Sequence, residues 1–250
     1  MKARHARKRL DAVVVERGLA ESLPKARAMI LAGEIWVDGA RAEKAGAVVS
    51  EGARIEVVNR AQKYASRGGI KLEGALEDFA IVPSGSVCLD VGASTGGFTD
   101  CLLQSGAARV YAVDVSIDQL AWKLQQDSRV VRIERNAREL RRKDISEPID
   151  LAVVDVSFIS VTRVLDPVSS ALKPGGHMLV LVKPQFELPR EDVRAGGVVT
   201  DPNLHEKAIA TVLKAAIEAG LEILGVKPSR LAGAEGNQEY FLHARKKTLE

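Results

Sequence analysis

Residues 89–103 read LDVGASTGGFTDCLL, and their order of apolar, acidic and glycine residues indicates a strand, a tight turn and a helix. The apolar run predicts a strand over residues 86–91, and the run after the glycines predicts a helix over residues 97–105. In open α/β sheets a ligand lies beyond the carboxyl ends of the strands, where a glycine turn lets the backbone approach it closely. The stretch therefore predicts both an α/β fold and the place of a ligand site.

The spacing of the glycines within the turn restricts the classes of ligand that the turn can bind. A dinucleotide-binding turn has glycine at its first, third and sixth places, but Ser94 holds the third place here, and no Gly-Lys-Ser/Thr of a phosphate-binding loop follows. Asp90 brings a carboxylate to the turn, which favours a ligand with sulfonium and ammonium groups, namely S-adenosylmethionine. Asp114 ends the next strand, 22 residues after Gly92, where it can accept hydrogen bonds from ribose hydroxyls. A dinucleotide site and a purely structural turn remain alternatives.

The predicted cofactor site combines the glycine turn with the ends of the next two strands. Asn136, after the third strand, is a candidate for an adenine contact, and capping of a helix is its alternative role. The full set of predicted cofactor residues is Asp90, Gly92, Ala93, Ser94, Gly96, Gly97, Phe98, Asp114 and Asn136.

The order of elements after residue 65 is typical of a doubly wound, mostly parallel sheet of the Rossmann-like kind. Strands are predicted at 86–91, 109–114, 129–133, 150–155 and 177–183, near 222–227, and at 239–245, the last of them antiparallel. Helices are predicted at 70–81, 97–105, 117–125, 162–172 and 205–219.

Two charged residues end neighbouring apolar strands. Asp155 closes the run in VVDVSF and Lys183 closes the run in LVLVKPQFE, so both are expected at the edge that carries the glycine turn. A lysine at the end of an apolar run is costly to desolvate unless it is paired, so Lys183 is expected to contact a carboxylate. Such a lysine suits the orientation or deprotonation of a hydroxyl, and a structural ion pair is the alternative. Lys71 and Glu239 are further candidates for this group.

Composition and charge restrict the class of protein. The chain has 250 residues, of which 46% are apolar, enough for a substantial core. Its apolar runs are too short to cross a bilayer and no signal peptide is evident, so a cytoplasmic protein is expected. Cys88 and Cys101 fall inside predicted elements and are expected as buried apolar residues, and no metal site is expected because the four histidines are scattered.

The first 60 residues carry 12 Lys and Arg against 8 Asp and Glu, whereas the remainder is nearly neutral. Two short helices, ending at Gly18 and Gly33, precede short strands in EIWVDG and ARIEVV. The stretch RLDAVVVERGLAESLPKARAMILAGEIWVDG resembles the S-four-type RNA-binding domain, which implies that residues 1–60 bind RNA. A linker is expected at 61–65 and the α/β domain at 66–250. Candidate RNA contacts are Arg4, Arg7, Lys8, Arg9, Lys25 and Arg27.

A second resemblance covers most of the chain. Lys71, Asp155, Lys183 and Glu239 fall where FtsJ-type ribose 2′-O-methyltransferases have a Lys-Asp-Lys-Glu tetrad, within SRGGIKL, VDVSFIS, LVKPQFE and GNQEYFLH. With the N-terminal module, the chain resembles the TlyA family, which is often labelled hemolysin-like. The resemblance implies S-adenosylmethionine-dependent 2′-O-methylation of cytidine in ribosomal RNA or assembled subunits. It implies that Lys183 orients or deprotonates the hydroxyl, that Asp155 and Glu239 hold the lysines, and that Lys71 steadies the substrate.

Other classes of function remain open from the sequence. A non-catalytic RNA-binding protein would keep this fold as a scaffold, and a membrane-active hemolysin or an NAD-dependent oxidoreductase are further alternatives. DNA is not an expected partner, and a monomer or weak dimer is expected. A basic run beside the third strand is either part of an RNA track or a solvated surface; it comprises Arg129, Arg132, Arg135, Arg138, Arg141, Arg142 and Lys143.

Overall fold

The computed structural model of the protein describes residues 7–50, 52–57, 63–193, 196–233 and 236–248. The chain divides into two compact units, residues 1–62 and residues 63–250. Arg4 and residues 61 and 62 of the predicted linker lie outside the described residues.

The N-terminal unit packs two helices with two small sheets. The elements are β1 (Arg7–Arg9), α1 (Leu10–Glu16), α2 (Leu23–Ala32), β2 (Ile35–Val37), β3 (Ala40–Arg41), β4 (Val48–Ser50) and β5 (Ile55–Val57). Ser22 caps α2 by accepting a hydrogen bond from the backbone N–H of Lys25, and Gly33 ends the helix in a left-handed conformation (φ 78°). The buried core contains Leu10, Val14 and Ile30. β1 pairs with β4, and the second sheet has the order β3-β2-β5.

The C-terminal unit is built on one seven-stranded sheet. Its strands are β6 (Val87–Val91), β7 (Arg109–Asp114), β8 (Val130–Glu134), β9 (Ile149–Val154), β10 (Leu172–Val182), β11 (Leu221–Pro228) and β12 (Tyr240–Lys246). Their order is β11-β12-β10-β9-β6-β7-β8. β6 to β10 pair in parallel, and β12 lies antiparallel between β10 and β11. The predicted doubly wound, mostly parallel sheet is thus confirmed.

Helices cover both faces of this sheet, so two apolar cores form, one on each face. Cys88 and Cys101 are fully buried and free, and burial raises the pKa of both thiols to about 12, as expected for apolar packing residues. The helices are α3 (Arg67–Asp78), α4 (Gly97–Gln104), α5 (Trp122–Gln125), α6 (Thr162–Ala171), α7 (Pro184–Glu187) and α8 (Pro202–Glu218).

The helix predicted over 117–125 is wrong as one continuous element. A 3-10 turn at residues 117–119 is separated from α5 by Leu120 and Ala121, both of which have extended backbone angles. The backbone N–H of Ala121 donates to the carbonyl of Thr95 instead of to its own helix. The segment is therefore tied to the glycine turn, and tertiary contact overrides local helical propensity.

β10 also differs from its prediction, since it begins at Leu172 rather than at residue 177. Its pairing with β9 is irregular between Leu172 and His177, a shift that sequence periodicity does not reveal.

Candidate active site

The carboxyl edge of the parallel strands carries a cavity of about 300 Å³. Lys71 from α3, Asp155 after β9 and Lys183 after β10 line this cavity together with the glycine turn after β6. Because β6, β9 and β10 are neighbours and parallel, their ends converge at one edge. Residues from four separate parts of the sequence therefore share one wall.

Lys183 and Asp155 form the first charged pair of the cavity. The Lys183 Nζ lies 2.6 Å from Asp155 Oδ1, and the lysine side chain is only 10% exposed. The same Nζ donates a hydrogen bond of 2.7 Å to Ser157 Oγ and lies 5.9 Å from the centre of the Phe186 ring. The expected contact between Lys183 and a carboxylate is present.

Lys71 and Glu239 form the second charged pair. The Lys71 Nζ donates to Glu239 Oε2 at 2.5 Å, with the side chains 11% and 3% exposed. Glu239 directly precedes β12, whose antiparallel direction brings its first residues to the carboxyl edge of the parallel strands. The structure thus gathers the four residues of the predicted tetrad, with Glu239 joined to the cavity wall through Lys71.

The glycine turn is shaped by close approaches that a side chain would prevent. Gly92 has a φ of 88°, and a Cβ there would lie 2.1 Å from the Asp155 carbonyl oxygen. A Cβ at Gly96 would meet Leu124 at 2.3 Å, and one at Gly97 would meet Ser66 Oγ at 2.1 Å. Glycine is required at these places because the turn packs directly on β9, on α5 and on the start of α3.

Asp90 is the most deeply buried charged residue of the site, at 0% exposure. Its Oδ2 accepts a 2.6 Å hydrogen bond from Thr99 Oγ1, whereas its Oδ1 has no hydrogen-bond partner among the described residues. Burial raises the pKa of Asp90 to about 7, and the negative charges of Asp155 and Asp114 add to the shift. Three carboxylates thus surround the turn, an arrangement that favours a cationic ligand.

A second cavity, of about 450 Å³, adjoins the first and shares Gly92, Ser94, Asp155 and Ser157 with it. Asp114 lines its wall and accepts hydrogen bonds of 2.9 Å from the backbone N–H groups of Ser94 and Ser116. Ser94 itself has a φ of 48°, so the turn carries backbone strain beside this cavity. These contacts fix the carboxylate of Asp114 at the rim.

Asn136 lines the second cavity and also caps the following 3-10 turn at residues 137–139. Its Oδ1 accepts hydrogen bonds from the backbone N–H of Arg138 at 3.1 Å and from the Arg138 side chain at 3.3 Å. The capping role considered for Asn136 is present, while its adenine contact stays a prediction. Of the other predicted cofactor residues, Ala93, Gly97 and Phe98 line the first cavity.

The predicted RNA-binding arginines of the N-terminal unit are organised by a buried acid. Asp11, 1% exposed, accepts hydrogen bonds from Arg9 Nε at 3.0 Å, Arg9 Nη2 at 2.8 Å and Arg27 Nε at 2.9 Å. The two guanidinium groups hold the pKa of Asp11 well below its usual range. The arginine side chains are 57% and 52% exposed, so Asp11 fixes two cations at the surface of this unit.

The remaining RNA-binding candidates are simpler in structure. Lys8 forms a 2.8 Å ion pair with Glu16 on the surface, whereas Arg7 and Lys25 are exposed. Arg4 lies outside the described residues.

Some members of the basic run near β8 are paired with acids or line a cavity. Arg129 is bound to Asp127 at 2.7 Å, and Arg135 pairs with Asp144 at 3.3 Å. Arg135 and Arg138 line the second cavity. An RNA role for the run stays a prediction.

Sequence reasoning missed six residues that line the first cavity: Ser66, Arg67, Gly68, Thr95, Ser157 and Ala232. Ser157 stands two places after Asp155 in VDVSF, where its nearness to a candidate acid was a usable signal. Ser66 gives no such signal, since its approach to Gly97 joins segments that are distant in the sequence.

The profile of the FtsJ-like methyltransferase family matches residues 64–246, which include both charged pairs and the glycine turn. The chain belongs to the FtsJ-like methyltransferase family. The S4 domain profile matches residues 8–55 and so covers most of the N-terminal unit.

Two relatives of this FtsJ-like methyltransferase extend over almost the whole chain. It is 47% identical over 244 residues to the 16S/23S rRNA (cytidine-2′-O)-methyltransferase TlyA of Mycobacterium tuberculosis (strain ATCC 25618 / H37Rv), covering 97% of this chain and 91% of that protein. It is 42% identical over 237 residues to Hemolysin A of Brachyspira hyodysenteriae, covering 94% of this chain and 98% of that protein. The resemblance to the TlyA family is confirmed.

Solved structures agree with this fold. A Streptococcus thermophilus protein described as a candidate hemolysin matches with a TM-score of 0.75 and 38% identity, covering 96% of this chain and 89% of that one. An S-adenosylmethionine-dependent methyltransferase from Mesorhizobium loti matches with a TM-score of 0.54 at 18% identity, covering 70% of this chain and 98% of that one, which shows a shared fold. In the part of the chain that the structure describes, no helix is both long and apolar enough to cross a membrane.

Proposed function

We propose that this protein transfers a methyl group from S-adenosylmethionine to a ribose 2′-hydroxyl of ribosomal RNA. The observation that carries the proposal is the position of Lys183, whose Nζ is held 2.6 Å from Asp155 on the wall of the cavity that the glycine turn also lines. A lysine held in this way suits the activation of a hydroxyl beside a methyl donor.

The residues around the turn fit S-adenosylmethionine. Asp114 and Asp155 line the cavities and supply negative charge, and Asp90, in β6 just before the turn, has an Oδ1 without a hydrogen-bond partner among the described residues. Gly92 lets the backbone approach a ligand closely, and Asp114 is fixed at the rim of the adjoining cavity for ribose hydroxyls. When bound, the cofactor supplies a methyl group made electrophilic by its positive sulfur.

Each member of the tetrad has a separate task in this mechanism. Lys183 orients the ribose hydroxyl through Nζ, and once its ammonium has released a proton, the lone pair of the neutral amine would take the hydroxyl proton. Asp155 fixes the amine of Lys183 through the 2.6 Å ion pair. Glu239 fixes Lys71 at 2.5 Å, and Lys71 steadies the substrate.

The substrate is RNA and not DNA because only RNA carries the 2′-hydroxyl. The reacting group is the same in every nucleotide, so the choice of nucleotide depends on contacts away from it. We assign such contacts to the S4 domain, where Asp11 presents Arg9 and Arg27. The Mycobacterium tuberculosis relative is named for cytidine in 16S and 23S rRNA, and we propose cytidine here too. We further propose that the protein acts in the cytoplasm, as a monomer or weak dimer, on rRNA or ribosomal subunits.

The test is methyl transfer from labelled S-adenosylmethionine to purified small subunits, large subunits and naked rRNA, followed by mass mapping of the product. The label is expected on the ribose of one or a few cytidines. The Lys183→Ala variant is expected to lose transfer while it binds S-adenosylmethionine normally in calorimetric titration, because the turn is intact. Lys214→Ala, which removes an exposed lysine of α8, serves as the control.

Two outcomes would contradict the proposal. RNA binding without methyl transfer by the wild-type protein would indicate a non-catalytic RNA-binding protein. Full activity of Lys183→Ala would show that this lysine does not activate the hydroxyl.

A further inference from the structure

The hydroxyl of Ser157 lies where the two cavities of the catalytic unit meet. Ser157 lines both cavities, and its Oγ accepts a 2.7 Å hydrogen bond from Lys183 Nζ. The residue stands in the loop after β9, two places beyond Asp155. It therefore contacts the proposed proton acceptor from a loop at the junction of the two cavities.

The geometry around Lys183 Nζ limits where that nitrogen can act. An ammonium nitrogen has three N–H groups, and a neutral amine has two and a lone pair. Ser157 Oγ, at 2.7 Å, occupies one of these positions as a hydrogen-bond acceptor, whereas Asp155 Oδ1, at 2.6 Å, is an ion-pair partner without hydrogen-bond geometry. A position that Ser157 does not occupy is the one that a substrate hydroxyl in the cavity can use.

We infer that Ser157 is a positioning residue. Together with Asp155, it orients Lys183 so that an unoccupied hydrogen-bonding position of Nζ faces the ribose hydroxyl. The inference rests on the proposed methyl transfer. Without the Ser157 hydroxyl, the amine keeps only its contact with Asp155 and turns about the Cε–Nζ bond and the end of its side chain. The lysine then spends less time in the orientation that reaction requires.

The orientation of Lys183 Nζ matters because the lysine is buried. Lys183 is 8% exposed as a residue, so water has little access to replace a lost hydrogen bond. The Phe186 ring, centred 5.9 Å from Nζ, attracts the cation but does not fix the direction of its N–H groups. Among the described residues, Ser157 is thus the neutral hydrogen-bond partner that sets the amine's direction.

The test compares Ser157→Ala with Ser157→Thr and Ser160→Ala in steady-state methylation of the RNA. Ser157→Ala is expected to lower kcat by about tenfold to a hundredfold, because a small misplacement of a reacting group has effects of this size. The KM for RNA and the Kd for S-adenosylmethionine are expected to stay unchanged, and the acidic limb of the kcat profile against pH should shift. Ser157→Thr keeps a hydroxyl and should restore most of kcat.

Ser160→Ala is the matched control in the same loop. The Ser160 hydroxyl donates to Glu187 Oε2 at 2.6 Å, away from the lysine, so its loss should lower the melting temperature and leave kcat unchanged. If Ser160→Ala lost as much kcat as Ser157→Ala, the effect would come from general loosening of the loop. This result would overturn the inference.

Two other results would overturn it as well. An unchanged kcat and pH profile in Ser157→Ala would show that Asp155 alone orients the lysine, and weaker cofactor binding with unchanged kcat would make Ser157 a cofactor contact. In both cases wild-type activity would persist, whereas failure of the proposed function would appear as absence of methyl transfer by the wild-type protein.

Discussion

The carboxyl edge of the seven-stranded sheet, where the parallel strands end, and the opposite edge, where they begin, differ in how their polar groups are paired. At the edge opposite the cavities, Asp150 accepts a 2.7 Å hydrogen bond from the backbone N–H of Val87 and pairs with Lys173, and His177 Nδ1 lies 2.9 Å from His243 Nε2. At the carboxyl edge, the buried Oδ1 atoms of Asp90 and Asp155 have no hydrogen-bond partner in the part of the chain that the structure describes, although Asp155 makes its ion pair.

This difference separates polar groups that stabilise the fold by pairing with one another from polar groups that remain available to a ligand. Buried polar atoms are normally hydrogen-bonded, and exceptions concentrate at functional sites. Substitutions at the two edges should therefore have different results: loss of binding or activity at the carboxyl edge, and loss of stability alone at the other.

The largest difference is expected between two glycines that both have a positive φ angle. Gly92→Ala places a Cβ 2.1 Å from the Asp155 carbonyl, so the turn must move and S-adenosylmethionine binding should be lost. Gly175 at the opposite edge also has a positive φ, 76°, but no described atom lies within 4 Å of its Cβ position. Gly175→Ala should cost only about 1–2 kcal/mol of unfolding free energy through backbone strain. Calorimetric titration measures cofactor binding, and urea unfolding measures the change in stability. Normal cofactor binding by Gly92→Ala would contradict the expected difference between the two edges.

A smaller difference is expected between two acids that are each paired with a lysine. Glu239→Gln removes the charge that holds Lys71 and should lower kcat by about tenfold to a hundredfold through misplacement of Lys71. Asp150→Asn weakens the contacts with Lys173 and Val87 and should lower the unfolding free energy by about 1–3 kcal/mol with kcat unchanged. Methylation kinetics and urea unfolding, measured for both variants, distinguish an effect on kcat from an effect on stability. Equal effects on kcat would mean that the edges are not functionally distinct.

The raised pKa of Asp90, about 7, predicts pH-dependent cofactor binding. The folded protein keeps on Asp90 a proton that the unfolded chain releases at about pH 4, so this contribution to stability is lost as the pH rises from about 4 to 7. A cationic ligand prefers the ionised carboxylate, so the Kd for S-adenosylmethionine should fall by up to about tenfold between pH 6 and pH 8. Asp90→Asn should remove that dependence. A wild-type Kd that does not change with pH would contradict this role of Asp90.

The smallest effect is expected at His243, on the opposite edge. Burial and the nearby His177 and Arg245 lower the pKa of His243 to about 4. The unfolded chain therefore binds a proton near pH 6.5 that the folded protein does not, and stability falls as the pH drops from about 6.5 to 4. His243→Phe keeps a ring beside Phe79, and the fall in melting temperature between pH 7 and pH 5 should shrink by about 2–4 °C for each kcal/mol of linkage removed. Activity at pH 7.5 should not change, and a loss of activity would show that this edge contributes to the reaction.

Much of the catalytic unit could be predicted from the sequence because its signals are local. Strand periodicity located β6, β7 and β9 to within about one residue, and the run of apolar and acidic residues placed Asp155 and Lys183 at strand ends. The helix over 117–125 could not be predicted correctly, because its break comes from the bond between Ala121 and Thr95 and from packing of Leu120 near Gly96. Such contacts join separate segments and leave no periodic trace in the sequence.

The sequence by itself determined the α/β order of elements, the glycine turn and the identities of the residues at the strand ends, since these follow from side-chain period and backbone freedom. Only the tertiary structure decided that Lys71 pairs with Glu239 across 168 positions, that Lys183 donates to Ser157, and that Asp90 is buried with one oxygen unpaired among the described residues. The physical reason is that pairing and burial depend on which strands become neighbours and on what covers them, and neither is encoded by the spacing of residues along the chain.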